Sequence, residues 1–416
     1  MTTEVLVIGG GPAGTTAAAL LAEKGRRVVL LEKKKFPRYH IGESLMPFCY
    51  FTLERLGVVE QVKSMGFSEK RSVQFATQDG RVSAPFYFFE HLDHPAATTW
   101  QVKRDEFDTM LLRNAAAMGV EVHEETTALD FIEEDGRVVG ARVCDAAGAE
   151  REIRAAVTID ASGRDALLLT KRKWRRRDPQ LNKVAVWTYF KGARRDPGLD
   201  EGATTIAYLD GKGWFWNIPM AGDVVSSGIV AERDYLFRDT RDPAEIFARE
   251  IKNNRWIDEH LSQGTQFGEY WVTGEYSYRS ERCADDGVVL AGDAFAFLDP
   301  VFSSGVFLAL KSGELAADAV DAALAKGSVA AAEFAGYGET LCRAIEVMRR
   351  MVYAFYDEGF SFGRLIKKHA ELRPQVTDCL IGDLIGKDYH ELTAAMGEIA
   401  QMPQPLPYGR VGQEAP

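Results

Sequence analysis

Cysteine is scarce and scattered in this chain: Cys49, Cys144, Cys283, Cys342 and Cys379 are its five, and no two form a C-x-x-C pair. That spacing excludes a disulfide framework and a structural zinc site, and fits reduced thiols in a cytoplasmic protein. Positive charge is also short, with 50 Lys and Arg against 61 Asp and Glu and a net charge of -11. Without a basic footprint the chain is not expected to hold nucleic acid by its phosphates. No apolar run reaches the length needed to span a bilayer. No secretory leader is expected either, because the apolar stretch Glu4-Val5-Leu6-Val7-Ile8 begins almost at Met1. The expectation is a cytoplasmic enzyme without a metal or a membrane anchor. Its 416 residues, 46% of them hydrophobic, suffice for two packed domains.

What the chain does have is a strand, a glycine turn and a helix at its start. Val5 to Ile8 are apolar, Gly9-x-Gly11-x-x-Gly14 follows, residues 15–24 form helix readily, and the strand at 28–31 ends in Glu32. Gly9 permits the tight turn, Gly11 lets backbone approach a pyrophosphate, and Gly14 lets the helix pack on the sheet. The helix start offers free N–H groups to phosphate, and Glu32, 18 residues after Gly14, accepts ribose hydroxyls. A bare glycine turn has none of this context. Further on, helices are expected at 45–56 and 104–118, and aromatic-rich strands at 184–190, 204–208 and 213–218. A strand at 287–291 returns to the first sheet, a helix starts near Ser304, and Pro403, Pro405 and Pro407 mark a loose tail.

Three later segments narrow the cofactor. Val102-x-Arg104-x-x-Phe107-Asp108, Asp160-Ala161-Ser162-Gly163-Arg164 and Gly292-Asp293-Ala294 are similar in kind and order to segments of flavoprotein monooxygenases. That resemblance implies FAD, with Arg104 at the pyrophosphate or isoalloxazine and Asp293 at the ribityl hydroxyls. Singly, each reads as a solvated Arg or a capping Asp.

Within that superfamily the chain resembles the flavin-dependent halogenases, closest to those acting on pyrroles and phenols. The resemblance rests on Phe36-Pro37-Arg38-Tyr39-His40-Ile41-Gly42-Glu43-Ser44-Leu45, on the W-x-W-x-I-P of Trp214, Trp216, Ile218 and Pro219, and on the F-x-x-P-x-x-S-x-G of Phe297, Pro300, Ser303 and Gly305. It implies an α/β fold: a Rossmann-type FAD-binding domain like that of glutathione reductase and the aromatic hydroxylases, an inserted β-sheet substrate domain and a helical C-terminal region. The expected bounds are 1–82, 100–172 and 277–325 for the FAD-binding domain, 83–99 and 173–276 for the sheet domain, and 326–416 for the helical region.

The resemblance further implies reduced FAD supplied by a separate flavin reductase, dioxygen, and chloride or bromide. Hypohalous acid then travels through an internal tunnel to a lysine, which halogenates a phenol or pyrrole, free or held on an acyl-carrier protein. Lys70 is the residue so implied; by itself, between Glu69 and Arg71, it reads as a solvated lysine. Trp214 and Trp216, on one face of a strand, are implied to shield the flavin from substrate, although such aromatics also build ordinary cores. Pro300 and Gly305 are implied by the same resemblance to bind the flavin. Ser303-Ser304-Gly305, at a helix start, is the expected halide site, and either serine also suits a plain N-cap.

One departure is that Phe302 stands where tryptophan-specific relatives carry Glu, which implies a self-activating ring, with Glu69 a possible substitute. The basic run Lys171-Arg172-Lys173-Trp174-Arg175-Arg176-Arg177 is either a solvated loop or a dock for an acidic carrier protein. An aromatic hydroxylase and a reductase of the geranylgeranyl type share the FAD segments and are the alternatives.

Overall fold

The computed structural model describes the chain except residues 210, 212, 275, 276, 407, 408 and 410–416. Strand Thr2–Ile8 pairs in parallel with Val28–Leu31 on one side and Glu150–Asp160 on the other. Glu121–His123 and Val288–Leu290 extend the parallel sheet at either edge. Val28–Leu31 is buried throughout, as its unbroken apolar run requires of a strand covered on both faces. Helix Pro12–Glu23 lies on this sheet and packs along the longer helix Ser304–Lys326.

A second sheet of seven strands covers the first. Its order is Thr265–Gly274, Lys183–Lys191, Val224–Glu232, Gly213–Met220, Thr204–Leu209, Ser72–Ala76 and Phe86–Tyr87. Ser72–Ala76 was expected in the FAD-binding part and instead runs parallel to Thr204–Leu209 in this sheet. The switch is made by a ribbon in which Ser68–Lys70 pairs with Thr99–Gln101, carrying the chain from one sheet toward the other. Alternation along Gly213–Met220 sends Phe215 into a core with Phe247, while Trp214 and Trp216 stay on the opposite face.

The C-terminal region is helical, through Ala335–Tyr356, Phe362–Lys368, Arg373–Ile381 and His390–Gly397. The tail with Pro403 and Pro405 is not loose: Gln404 O accepts from Arg349 Nη1 at 3.1 Å and Leu406 O from Arg279 Nη2 at 2.6 Å. Pro407 lies outside the described residues. Arg349 Nε reaches Asp178 Oδ2 at 2.6 Å, with both side chains buried, and Tyr353 shares the same carboxylate. The five cysteines are free thiols. Among the described residues no helix is long and apolar enough to cross a membrane.

Breaking a buried pair strands its remaining charge. Arg349→Met should therefore lower the unfolding free energy by about 3–5 kcal/mol, and Arg349→Met with Asp178→Asn should recover part of the loss. Urea unfolding measures both.

Candidate active site

Between the two sheets lies a cavity of about 460 Å³. Its far end is the glycine turn. Gly9 has φ +111°, and a Cβ there would lie 2.2 Å from Ala161 O; at Gly14 it would lie 1.9 Å from Gly9 O. Only glycine allows this closeness, and it leaves the start of helix Pro12–Glu23 open to the cavity through Gly11. Glu32, buried at its strand end, accepts Gly10 N and Lys34 N at 2.9 Å each. A glycine turn, an open helix start and a buried acid in this arrangement could hold the adenosine and pyrophosphate parts of a dinucleotide.

Asp293 lines the cavity, and its carboxylate accepts no hydrogen bond among the described residues. Burial pushes it up to about 6, against the pull of Arg164 and Arg104. An unsatisfied acid here suits ribityl hydroxyls. Arg104 also lines the cavity, but its guanidinium is engaged: Nε and Nη2 bind Asp108 at 2.8 and 2.9 Å, and Nη1 binds Ile41 O at 2.8 Å. It holds the 41–42 loop in place. The cation nearest the glycine turn is Arg38, whose Nη2 would lie 3.6 Å from a Cβ on Gly11.

At the near end stand Pro300, Ser303 and Gly305, facing Trp214, Trp216 and Ile218. The indole rings of Trp214 and Trp216 lie 6.0 Å apart on the cavity face. Pro219 belongs to the same strand but does not line the cavity. Ser303 takes a left-handed conformation, φ +57°, and no side chain caps helix Ser304–Lys326. Ser304 points inward, its buried hydroxyl without a partner. Neither serine is thus a plain N-cap, and the first amides of a 23-residue helix lie beside the cavity.

Lys70 is 3% exposed. Its Nζ donates to Ser44 Oγ at 3.0 Å and Leu45 O at 3.2 Å, and lies 5.6 Å from the Phe88 ring centre. Burial pulls the amine down to about 7. Ser44 is itself in the cavity wall, bound to Thr204 Oγ1 at 2.8 Å. One side chain therefore separates the cavity from the amine.

Residues 90–359 match the family model described as tryptophan halogenase, and residues 4–172 match an FAD dependent oxidoreductase model. The 1H-pyrrole-2-carbonyl-(peptidyl-carrier protein) brominase of Pseudoalteromonas luteoviolacea is 33% identical over 77% of this chain and 78% of its own length. The corresponding chlorinase of Pseudomonas fluorescens is 27% identical over 95% of this chain and 92% of its own. The structure of the flavin-dependent brominase Bmp2 superposes with TM-score 0.85 at 28% identity, over 96% of this chain and 98% of that one. The chain belongs to the tryptophan halogenase family. It is an FAD-dependent halogenating enzyme, with the mixed α/β fold of the flavin-dependent halogenases.

Two expectations for this halogenase change. Glu69 cannot assist Lys70, because the strand turns it outward to pair with Arg71 in solvent. The basic run is largely neutralised within the chain. Lys171 and Arg172 pair with Asp130, Glu133 and Asp285, Arg176 with Glu281, and Arg175 lies over the Tyr278 ring. These pairs reduce the charge that the run presents to a carrier protein. Phe302, in place of Glu, packs edge-on against Phe355 and Phe362.

Sequence reading of this halogenase passed over Glu43, Tyr39 and Tyr189, which form a hydrogen-bonded row from the exposed Tyr39 to the buried Glu43. Their only signal was that two of them lie in the segment 36–45.

If burial alone depresses Lys70, acetic anhydride labelling should see its reactivity rise through pH of about 7, while exposed lysines wait for about 10. Labelling of Lys70 only near pH 10 would remove the desolvation argument.

Proposed function

We propose that this enzyme makes hypohalous acid in the cavity and passes it across the Ser44 wall to Lys70, which halogenates an electron-rich ring. Reduced FAD, when bound, would give dioxygen two of the four electrons it takes up and the halide would give the other two, so that FADH2, O2, halide and one proton become FAD, hypohalous acid and water. The observation that carries the reading is the amine held out of solvent one side chain away from the cofactor cavity.

The chain's own residues divide the work. Gly9, Gly11, Gly14 and Glu32 cradle the adenosine end, Arg38 supplies positive charge near the turn, and Arg104 holds the loop over the cavity. Asp293 receives the ribityl chain. The amides of Ser303, Ser304 and Gly305 hold the halide at the positive end of a helix. Trp214, Trp216 and Ile218 fill the space where a ring would otherwise meet the flavin. Near neutral pH, Lys70 exists in both forms; as ammonium it hydrogen-bonds hypohalous acid, and as amine it takes up halogen.

The substrate we infer is a phenol or a pyrrole. Phe302 offers no carboxylate to stabilise a cationic ring, so the ring must activate itself, and the two relatives named above act on a carrier-bound pyrrole. Delivery on a carrier protein and reduced FAD from a separate flavin reductase complete the reading. The protein should act in the cytoplasm.

The test uses purified protein with a flavin reductase, NADH, bromide and a panel of free and carrier-bound phenols and pyrroles. Brominated product, recognised by its isotope pattern, is expected. Lys70→Ala should lower its yield by about 100-fold or more while NADH consumption continues. Hydroxylated product alone, or full halogenation by Lys70→Ala, defeats the proposal.

A further inference from the structure

Each oxidation of halide takes up one proton inside a cavity that the cofactor fills. A row of hydroxyl groups leads there from the surface. Tyr39 is 40% exposed at the cavity mouth, stacked on Trp271 with ring centres 4.6 Å apart. Trp187 Nε1 donates to Tyr39 Oη at 2.8 Å. Tyr39 Oη and Tyr189 Oη are 2.9 Å apart, and Tyr189 Oη donates to Glu43 Oε1 at 2.7 Å. The indole has only a donor to offer, and Tyr189 has one proton, already given to Glu43. Tyr39 must therefore donate to Tyr189. The row has a single direction, inward, ending at Glu43.

Glu43 is suited to the end of such a row. It is 4% exposed, it lines the cofactor cavity, and its Oε2 is buried with no hydrogen-bond partner. A carboxyl group that receives at one oxygen and leaves the other unsatisfied at the cavity wall can take a proton on one side and release it on the other. Burial raises its proton affinity, with the hydroxyls of Ser226 and Tyr189 and the charge of Arg104 opposing.

We propose that Tyr39, Tyr189 and Glu43 form a proton relay from solvent into the halide-oxidation site. Solvent adds a proton at Tyr39 Oη as Tyr39 passes its own to Tyr189, Tyr189 passes its own to Glu43, and Glu43 releases the proton that becomes part of the product water. No bond other than O–H changes and no electron moves along the row. The need for a proton rests on the halogenation reading above; the relay itself does not.

The test is hydrogen–deuterium exchange of the Glu43 carboxyl group, read from its C=O stretch by difference infrared spectroscopy on the protein loaded with oxidised FAD, and assigned by its absence in Glu43→Gln. Exchange should be fast in the natural protein and about 100-fold slower in Tyr189→Phe, the scale of a lost positioned proton donor. Tyr39→Phe, at an exposed position, should slow it likewise and serves if Tyr189→Phe does not fold. Exchange at the natural rate in a folded variant overturns the relay, as does the lack of a protonated carboxyl band that Glu43→Gln removes. The measurement involves neither halide nor turnover. Slowed exchange in a protein that yields no halogenated product would keep the relay and end the halogenation reading, and the converse would do the opposite.

Discussion

An amine with no counterion, held out of water by a ribbon of two short strands, is the constraint to which the rest of the site answers. Among the described residues no carboxylate pairs with Lys70, whose partners are one hydroxyl and one carbonyl. Below pH of about 7 the amine is protonated both in the fold and in the unfolded chain, so the full cost of burying the charge, several kcal/mol, is present there. That cost shrinks as pH rises from about 7 toward the ordinary lysine value, because only the unfolded chain then holds the proton. A core optimised for stability alone would not keep such a group. It persists because the strand pairing of Ser68–Lys70 with Thr99–Gln101 overdetermines its position.

Strand alternation explains both what could and what could not be read from the chain. Trp214 and Trp216, two apart in a strand, had to share a face, and they do. The glycine turn, the acid at Glu32 and the Ser303 turn were legible because their spacing is local. Lys70 was named only through the resemblance and its burial was not legible, since Glu69 and Arg71 flank it with charge and only the ribbon reveals that they point outward as a pair while Lys70 points in. Ser72–Ala76 could not be assigned to a sheet, because its partner Thr204–Leu209 lies more than a hundred residues away. The two readings of the basic run stayed open for the same reason: the acids that pair with it, Asp130, Glu133, Glu281 and Asp285, are distant in sequence. Arg104 was expected at the pyrophosphate or the isoalloxazine; it lines the cavity, but its engagement with Asp108 is set by tertiary packing.

A C-terminal helix joins the two sides of the near end of the site. Trp214 Nε1 donates to Tyr356 Oη at 2.9 Å, and Tyr356 donates to Asp299 Oδ2 at 2.9 Å. Asp299 Oδ1 in turn accepts Val301 N at 3.1 Å, fixing the turn that leads to Ser303. Burial holds the Asp299 carboxyl up near about 6, while the Tyr356 hydroxyl favours its charged form. The tryptophan strand and the turn before helix Ser304–Lys326 are thus set in register by one phenol from a helix that itself contributes nothing to the cavity lining. A displacement of Ala335–Tyr356 would be felt at both.

The wall between cavity and amine is one residue thick, and its chemistry decides what can cross. Ser44 Oγ is bound on one side to Lys70 and on the other to Thr204, which also accepts from Gln101 Nε2 at 2.9 Å. Such a chain of hydroxyl groups yields to a small polar molecule that can replace each hydrogen bond it breaks, and hypohalous acid, both donor and acceptor, is one. An aromatic ring cannot do so, and it would also have to displace Trp216, which is packed between Trp214 and Trp187. Hydroxylating a ring requires the opposite arrangement, with the substrate against the flavin and no barrier between them. A wall this thin and this polar favours carrying the oxidant to the substrate.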